Sequence, residues 1–280
     1  MVAAWSGFIA AVLLPTRQSP DLLAGMWQLL AHSFGAVPRM LVWDNESGIG
    51  QHQRLTVGAR GFAGTLGTRI YQTRPRDPEA KGVVERANGY LQTSFMPGRE
   101  FASPADFNAQ LEGWLPKANQ RLLRRTGAAP ADRLAADVAA MTSLPPVAPE
   151  VGWRDRVRLG RDYYVRVAGN DYSVDPSVIS RFVDIRCDLT MVTVTCAGRQ
   201  VAAHVRCWDQ RRTISDPAHV ATARALRAAF SAQRAAGRAS VRTTGEQVGL
   251  RPLSVYDDLF DLTAGPGGEP HLEASEAVAW

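Results

Sequence analysis

Two carboxylates, Asp44 and Glu85, stand in this sequence where a fold could put them to chemical use. Met40-Leu41-Val42-Trp43 is a short apolar run followed at once by Asp44-Asn45. Such a run reads as a buried parallel-type strand, and its exit places Asp44 at the carboxyl edge of a sheet, where open α/β sheets hold their chemistry. Glu85 lies in a helix entered through Pro75-Arg76-Asp77-Pro78. Lys81, Glu85, Asn88 and Gln92 follow at spacings of four, three and four, so they share one polar face, while Val84, Ala87, Leu91 and Phe95 share another. The helix therefore packs by one face and offers Glu85 and Lys81 on the other.

Several elements must position that pair. Residues 1–5 and 7–14 read as two strands around a Ser6-Gly7 turn. A helix opens at Ser19-Pro20, carries Leu22, Leu23, Met26, Trp27 and Leu30 as an apolar stripe, and ends at Gly35. Asp21 falls in its first turn, where an acid favours the helix dipole, and is read as that and not as a ligand. Strand 39–44, a short helix near 55–66 and a last strand at 69–73 follow. After the Glu85 helix, which ends near Pro97-Gly98, another starts at Ser103-Pro104 with Phe107, Leu111, Trp114 and Leu115 at helical spacing. Pro130 restarts a helix to about Met141. Lys117, Arg121, Arg124 and Arg125 either complement a helix C-terminus or contact phosphate.

Asp44-Asn45 at a strand end, followed by Lys81-Gly82-x-x-Glu85-Arg86 on a helix, resembles the second Asp and the Glu of the DDE transposase and retroviral-integrase superfamily. Leu41-Val42-Trp43-Asp44-Asn45-Glu46, Pro130-Ala131-Asp132-Arg133-Leu134 and Arg251-Pro252-Leu253-Ser254-Val255-Tyr256-Asp257 are similar to the IstA-type insertion-sequence transposases. The resemblance runs to about Leu262. It implies a ribonuclease-H-like α/β integrase core, lacking its first strand and first catalytic Asp, so that the chain looks amino-terminally truncated. It implies that Asp44 and Glu85 are catalytic and bind two Mg²⁺ (or Mn²⁺) ions, with Lys81 and Arg86 available to DNA phosphates. The implied reaction is strand cleavage at transposon ends and strand transfer, expected to be absent from this chain alone because one carboxylate is missing. The implied partners are double-stranded DNA, an AAA+ ATPase helper and further copies of the chain.

Thr142 to Glu150 holds three prolines in nine residues and separates the core and its following helices (1–141) from the rest. From 151 to 210 the period becomes two, with hairpin signals at Gly160-Arg161, Ala168-Gly169-Asn170 and Ala197-Gly198-Arg199. Five or six short strands there imply a small antiparallel barrel, and the resemblance suggests an SH3-like one. Arg154, Arg156, Arg158, Arg161 and Arg166 cluster on its first hairpin among Trp153, Tyr163 and Tyr164. They suit phosphate contact, with Arg156, Arg158 and Arg161 as the DNA-binding set; the bland alternative is a solvated arginine rim. C-terminal helices occupy 211–262, one of them rich in Ala and Arg over 218–236 and a shorter one near 253–262. An acidic tail at 263–280 reads as disordered.

The chain has 280 residues, 45% hydrophobic and 21% charged, with a net charge of +5. Six acids and no Lys or Arg lie beyond residue 251, so residues 1–251 carry 32 basic against 21 acidic side chains, a charge of +11. A basic body fits a nucleic-acid partner or, equally, a solvated Arg-rich surface. Cys187, Cys196 and Cys207 match no metal spacing and read as reduced strand residues. No apolar run is long enough for a membrane span, which makes a cytoplasmic protein the expectation, and the resemblance implies a bacterial, nucleoid-associated one. Two functional alternatives remain beside transposition: a non-enzymatic DNA-binding protein or regulator of intact transposase, and a general metal nuclease.

Overall fold

The computed structural model describes residues 1–51, 54–73 and 78–243. Residues 1–226 form one compact unit and residues 227–280 a second. In chain order the first unit begins with helix α1 (Ser19–Leu29), continued by a π-helical turn (Leu30–Phe34) that Gly35 ends in the left-handed conformation at φ 64°. Strands β1 (Ala36–Val37) and β2 (Met40–Trp43), the hairpin β3 (Gly50–Gln51) and β4 (Arg54–Leu55), helix α2 (Val57–Leu66) and strand β5 (Arg69–Gln72) come next. Helices α3 (Pro78–Ser94), α4 (Pro104–Gln120) and α5 (Pro130–Ala139) lead to strand β6 (Thr142–Ser143). Strands β7 (Trp153–Arg158), β8 (Tyr164–Val167), β9 (Asn170–Ser173), β10 (Phe182–Cys187), β11 (Met191–Cys196), β12 (Arg199–Val205) and β13 (Thr213–Ile214) precede helix α6 (Pro217–Thr243).

Local chemistry explains most of these limits. The Thr56 side chain caps α2 by accepting from the Ala59 N–H at 3.2 Å, and Ser103 caps α4 through Asp106 N–H at 3.1 Å. β2 and β5 pair in parallel, Leu41 beside Ile70 and Val42 beside Tyr71, with α2 as the crossover. One face of this pair is buried through Leu41 and Gln72 and joins the core of Leu22, Met26, Leu30 and Phe62. The other face exposes Met40, Val42 and Tyr71 to 50%, 47% and 43%. Parallel strands are ordinarily covered on both faces, so this side of the pair is one that soluble folds rarely leave bare.

A satellite core of Phe95, Leu111, Trp114 and Ala118 ties the end of α3 to α4. The rings of Phe95, Phe101 and Phe107 meet at centroid distances of 4.6 to 5.8 Å and fix the turn between the two helices.

The β-rich part builds two small sheets around one core. β12, β11, β10 and β7 form a four-stranded antiparallel sheet, and β13, β9 and β8 a three-stranded one in which β13 and β9 run parallel. Val183, Ile185, Val192, Val194 and Tyr172 are almost wholly buried between them. Alternation along β10 is strict, with Val183, Ile185 and Cys187 inward and Phe182, Asp184 and Arg186 outward. Gly152 at φ 89° lets the chain enter β7 against Cys187 O; a Cβ there would come within 2.5 Å of that oxygen.

Some expectations change. Residues 1–14 contain no regular strand: Val2 and Ile9 make a single antiparallel bridge about a tight turn at Ala4 to Ser6. The bridge is flanked by Ala3 N–H to Phe8 O at 2.9 Å and Ala10 N–H to Met1 O at 3.0 Å, and the buried Asn119 amide covers the Ile9 N–H and C=O on the opposite edge, at 2.8 Å each. The proline-rich segment is pinned at its start, where β6 pairs with β1, and Leu144 and Val151 pack on the first core. The short helix at 253–262 and the tail lie outside the described residues.

Candidate nucleic-acid interface and carboxylate pair

Asp44 stands at the carboxyl end of β2, exposed to solvent. Its Oδ1 accepts the Asn45 N–H at 2.7 Å and the Thr73 hydroxyl at 3.3 Å, while Thr73 N–H donates to Trp43 O at 2.9 Å. Thr73 is buried, so the residue just after β5 also steadies the carboxylate just after β2. Sequence spacing held no signal for Thr73, because its partnership with Asp44 is created by the parallel register. Behind it, Gln72 Nε2 donates to Gly50 O at 2.8 Å and ties β5 to the hairpin that follows the Asp44 loop.

Glu85 is exposed on α3, on the side opposite buried Ala87. Arg86 is exposed on the same helix, with its guanidinium folded back beside Gly82: a Cβ at that glycine would stand 3.3 Å from Arg86 Nη1. Lys81 falls earlier in α3, and its side chain lies outside the described residues. Among the described residues no group of three or more His, Cys, Asp or Glu side chains converges closely enough to hold a metal ion. Hard carboxylate oxygens are the right ligands in kind for Mg²⁺. In number, the described donors do not fit a complete two-metal site.

Asp21 is occupied elsewhere. Its carboxylate, 4% exposed, receives Arg206 Nη1 at 2.6 Å, Arg206 Nη2 at 3.0 Å and the Thr16 hydroxyl at 2.6 Å. Arg206 follows β12 and also donates to Asp188 O at 2.8 Å. A first-turn acid expected to serve the helix dipole thus binds the β-rich part to α1 across 185 residues of sequence.

The arginines separate into held and available groups. Arg166 makes a two-pronged bond to Asp171, at 2.8 and 2.9 Å, and that bond holds the Asp171 carboxyl below the usual carboxylate range. Arg121 donates to Ala118 O at 2.6 Å and lies 3.9 Å from the Tyr90 ring centroid, in favour of the helix-end reading. Arg154 pairs with Glu150 at 2.7 Å.

Arg156 and Arg158 lie with Arg154 on the outward face of β7, at two-residue spacing. Arg156 sits 3.6 Å from Asp184 and 5.6 Å from the Phe182 ring centroid, and Arg158 Nε donates to Ser180 O at 2.8 Å. Arg161 is exposed in the turn between β7 and β8. Sequence reasoning missed Arg186: the register of β10 against β7 sets it directly opposite Arg154, both pointing outward. Like charges facing each other across strands cost stability; Glu150 offsets part of that cost at Arg154, and an anion over the pair would offset more. The signal was present in the alternation of β10, but which strand faced β7 was not.

The cysteines are all free, and burial pushes the Cys187 thiol up to about 11. No described helix is long and apolar enough to cross a membrane.

The family described as Mu transposase, C-terminal domain, matches residues 144–216, the β-rich part and the segment entering it. The transposase for insertion sequence element IS21 of Pseudomonas aeruginosa is 31% identical over 190 residues, 67% of this chain and 44% of that protein. A putative transposase for insertion sequence IS1162 of Pseudomonas fluorescens is 28% identical over 211 residues, 72% of this chain and 37% of that protein. One for IS408 of Burkholderia multivorans is 28% identical over 212 residues, 72% and 40%. The chain spans less than half the length of these relatives. Among solved structures, a chain of the simian T-cell lymphotropic virus intasome in complex with PP2A regulatory subunit B56 gamma has a TM-score of 0.39 at 17% identity, covering 77% of this chain and 71% of that one.

Proposed function

We propose, for a chain that is a relative of the IS21-type insertion-sequence transposases, that it serves DNA transposition by holding duplex DNA on the outward face of β7 and β10. The observation that carries this reading is the arginine pattern there: Arg154, Arg156 and Arg158 at two-residue spacing, with Arg186 opposite Arg154. Alternate residues of a strand lie about 6.8 Å apart, so such a row follows a phosphate backbone without reading bases. Ser180 O and Asp184 orient Arg158 and Arg156 by one contact each, which leaves further N–H donors of each guanidinium for phosphate oxygens. Arg161 extends the row into the turn.

In the same proposal Asp44 and Glu85 belong to the site of strand cleavage and strand transfer, on a core of ribonuclease-H-like type, with the β-rich part as an SH3-like barrel. Thr73 and the Asn45 N–H fix the Asp44 carboxylate, while Lys81 and Arg86 supply cations on the Glu85 helix. Bound Mg²⁺ or Mn²⁺ would activate the attacking oxygen in such a site. The described carboxylates do not complete it. Association with an ATPase helper, with further copies of the chain and with the nucleoid belongs to the same proposal.

The test is duplex-DNA binding by the full chain across a salt series. Replacing Arg156, Arg158 and Arg161 by Gln should make the slope of log K against log salt shallower by about 0.9 for each lost phosphate contact, up to about 3. An unchanged slope in a folded variant would refute the interface.

A further inference from the structure

We infer that the helical part of the second unit is a separate nucleic-acid contact, an arginine stripe that lies along a phosphate backbone independently of the β7 and β10 face. The second unit begins within α6, at Arg227. From there arginine recurs at 227, 234, 238 and 242, at intervals of seven, four and four. At roughly 100° per residue these positions fall within an arc of about 80° and span about 22 Å along the axis. They form one side of the helix, not a scatter.

The whole of α6 contains no Asp or Glu. Arginines four residues apart, as at 234, 238 and 242, repel one another by a few tenths of a kcal/mol per pair, and no acid on this helix offsets them. A polyanion would remove that repulsion and release condensed counterions as it bound. Arg227 and Arg234 are exposed, and the Arg234 guanidinium lies 6.0 Å from the centroid of Phe230, a ring that is itself 61% exposed. Between 227 and 237 Phe230 is the one large apolar side chain; the rest of that stretch is Ala, Gly, Ser, Gln and Arg. One turn earlier Leu226 is 45% exposed, but a helix docked in a protein groove would continue this pair with an apolar anchor at i+7, where α6 carries Gln233. Charge is what this helix offers, and phosphate matches it.

The experiment uses the full chain and a duplex of about 30 base pairs, followed by fluorescence anisotropy over a NaCl series. The variant R227Q/R234Q/R238Q/R242Q keeps good helix formers and removes the stripe; its log K against log salt should be shallower by about 2 to 4, near 0.9 per lost contact. The matching Arg→Lys variant should keep most of the slope. If circular dichroism shows that the quadruple Gln variant has lost helix, R227Q/R234Q is measured and should show about half the change. An unchanged slope would overturn the inference, and so would a change in sedimentation behaviour with the slope intact, which would assign the stripe to a protein partner. The triple Gln variant at Arg156, Arg158 and Arg161, measured in parallel, separates the two proposals: loss there and not in the helix variant removes only the stripe, and the reverse removes only the sheet face. Failure of the unaltered chain to bind duplex at low salt overturns both.

Discussion

The buried pair of Asp21 and Arg206 allows the sharpest energetic test. Both side chains are 4% exposed; Asp21 binds Arg206 and Thr16, and Arg206 binds Asp21 and Asp188 O through its terminal nitrogens, with Nε buried and unpartnered. Replacing Asp21 by Ala leaves a buried guanidinium with one remaining acceptor, and removing one partner of such a pair costs about 3–5 kcal/mol. For a unit of 226 residues, each kcal/mol moves the melting temperature by about 2–4 °C, so a fall of about 6–20 °C is expected. R206M should cost a similar amount. The double variant D21L/R206M should recover much of the loss, because apolar residues of similar volume carry no desolvation penalty. Urea melts of the unaltered chain, D21L, R206M and D21L/R206M close the cycle, and the coupling should persist at high salt since buried pairs are little screened. A loss below about 1 kcal/mol for Asp21→Ala, the value of an exposed pair, would show that the β-rich part is not seated on α1 as described.

Other measurements probe separate parts of the structure. Cys187, with its thiol raised to about 11 by burial, should hold about one thiolate in a thousand at pH 8 and resist alkylation until the protein unfolds; rapid native labelling would contradict its position in the core. The folded-state pKa of Asp171 is depressed by the Arg166 bond, so its stabilisation is present at neutral pH and is lost as pH falls through the folded value. In R166A the Asp171 carboxyl, followed by NMR, should titrate nearer the ordinary carboxylate range; an unmoved titration would deny the bond. If Asp44 and Glu85 share a site, a crystal structure of the chain with Mg²⁺ and duplex DNA should hold their carboxyl groups roughly 4–8 Å apart, whereas a separation beyond about 12 Å exceeds any two-metal bridge and would remove the assignment.

What the sequence determined by itself is what local rules govern. Pro20 and Gly35, Ser103-Pro104 and Pro130 mark helix ends through the Ser103 cap and through fixed or left-handed dihedrals that act within a few residues, although Gln18 and not Ser19 takes the cap position of α1, with no side-chain bond. Alternation along β10 and β11 announced a half-buried sheet, and an apolar run closed by Asp44 announced a strand end. Tertiary structure alone decided pairings between distant residues. The register of β7 on β10 brought Arg186 opposite Arg154, and the parallel register of β2 and β5 put Thr73 against Asp44. Asn119, 110 residues away, took the outer edge of the Ile9 backbone. Asp21 carried an N-terminal-turn signature like many surface acids, yet packing of α1 against the β-rich part sealed it from water with Arg206. No pattern around residue 21 contains a partner 185 positions away, because burial belongs to the assembled surface and not to the segment.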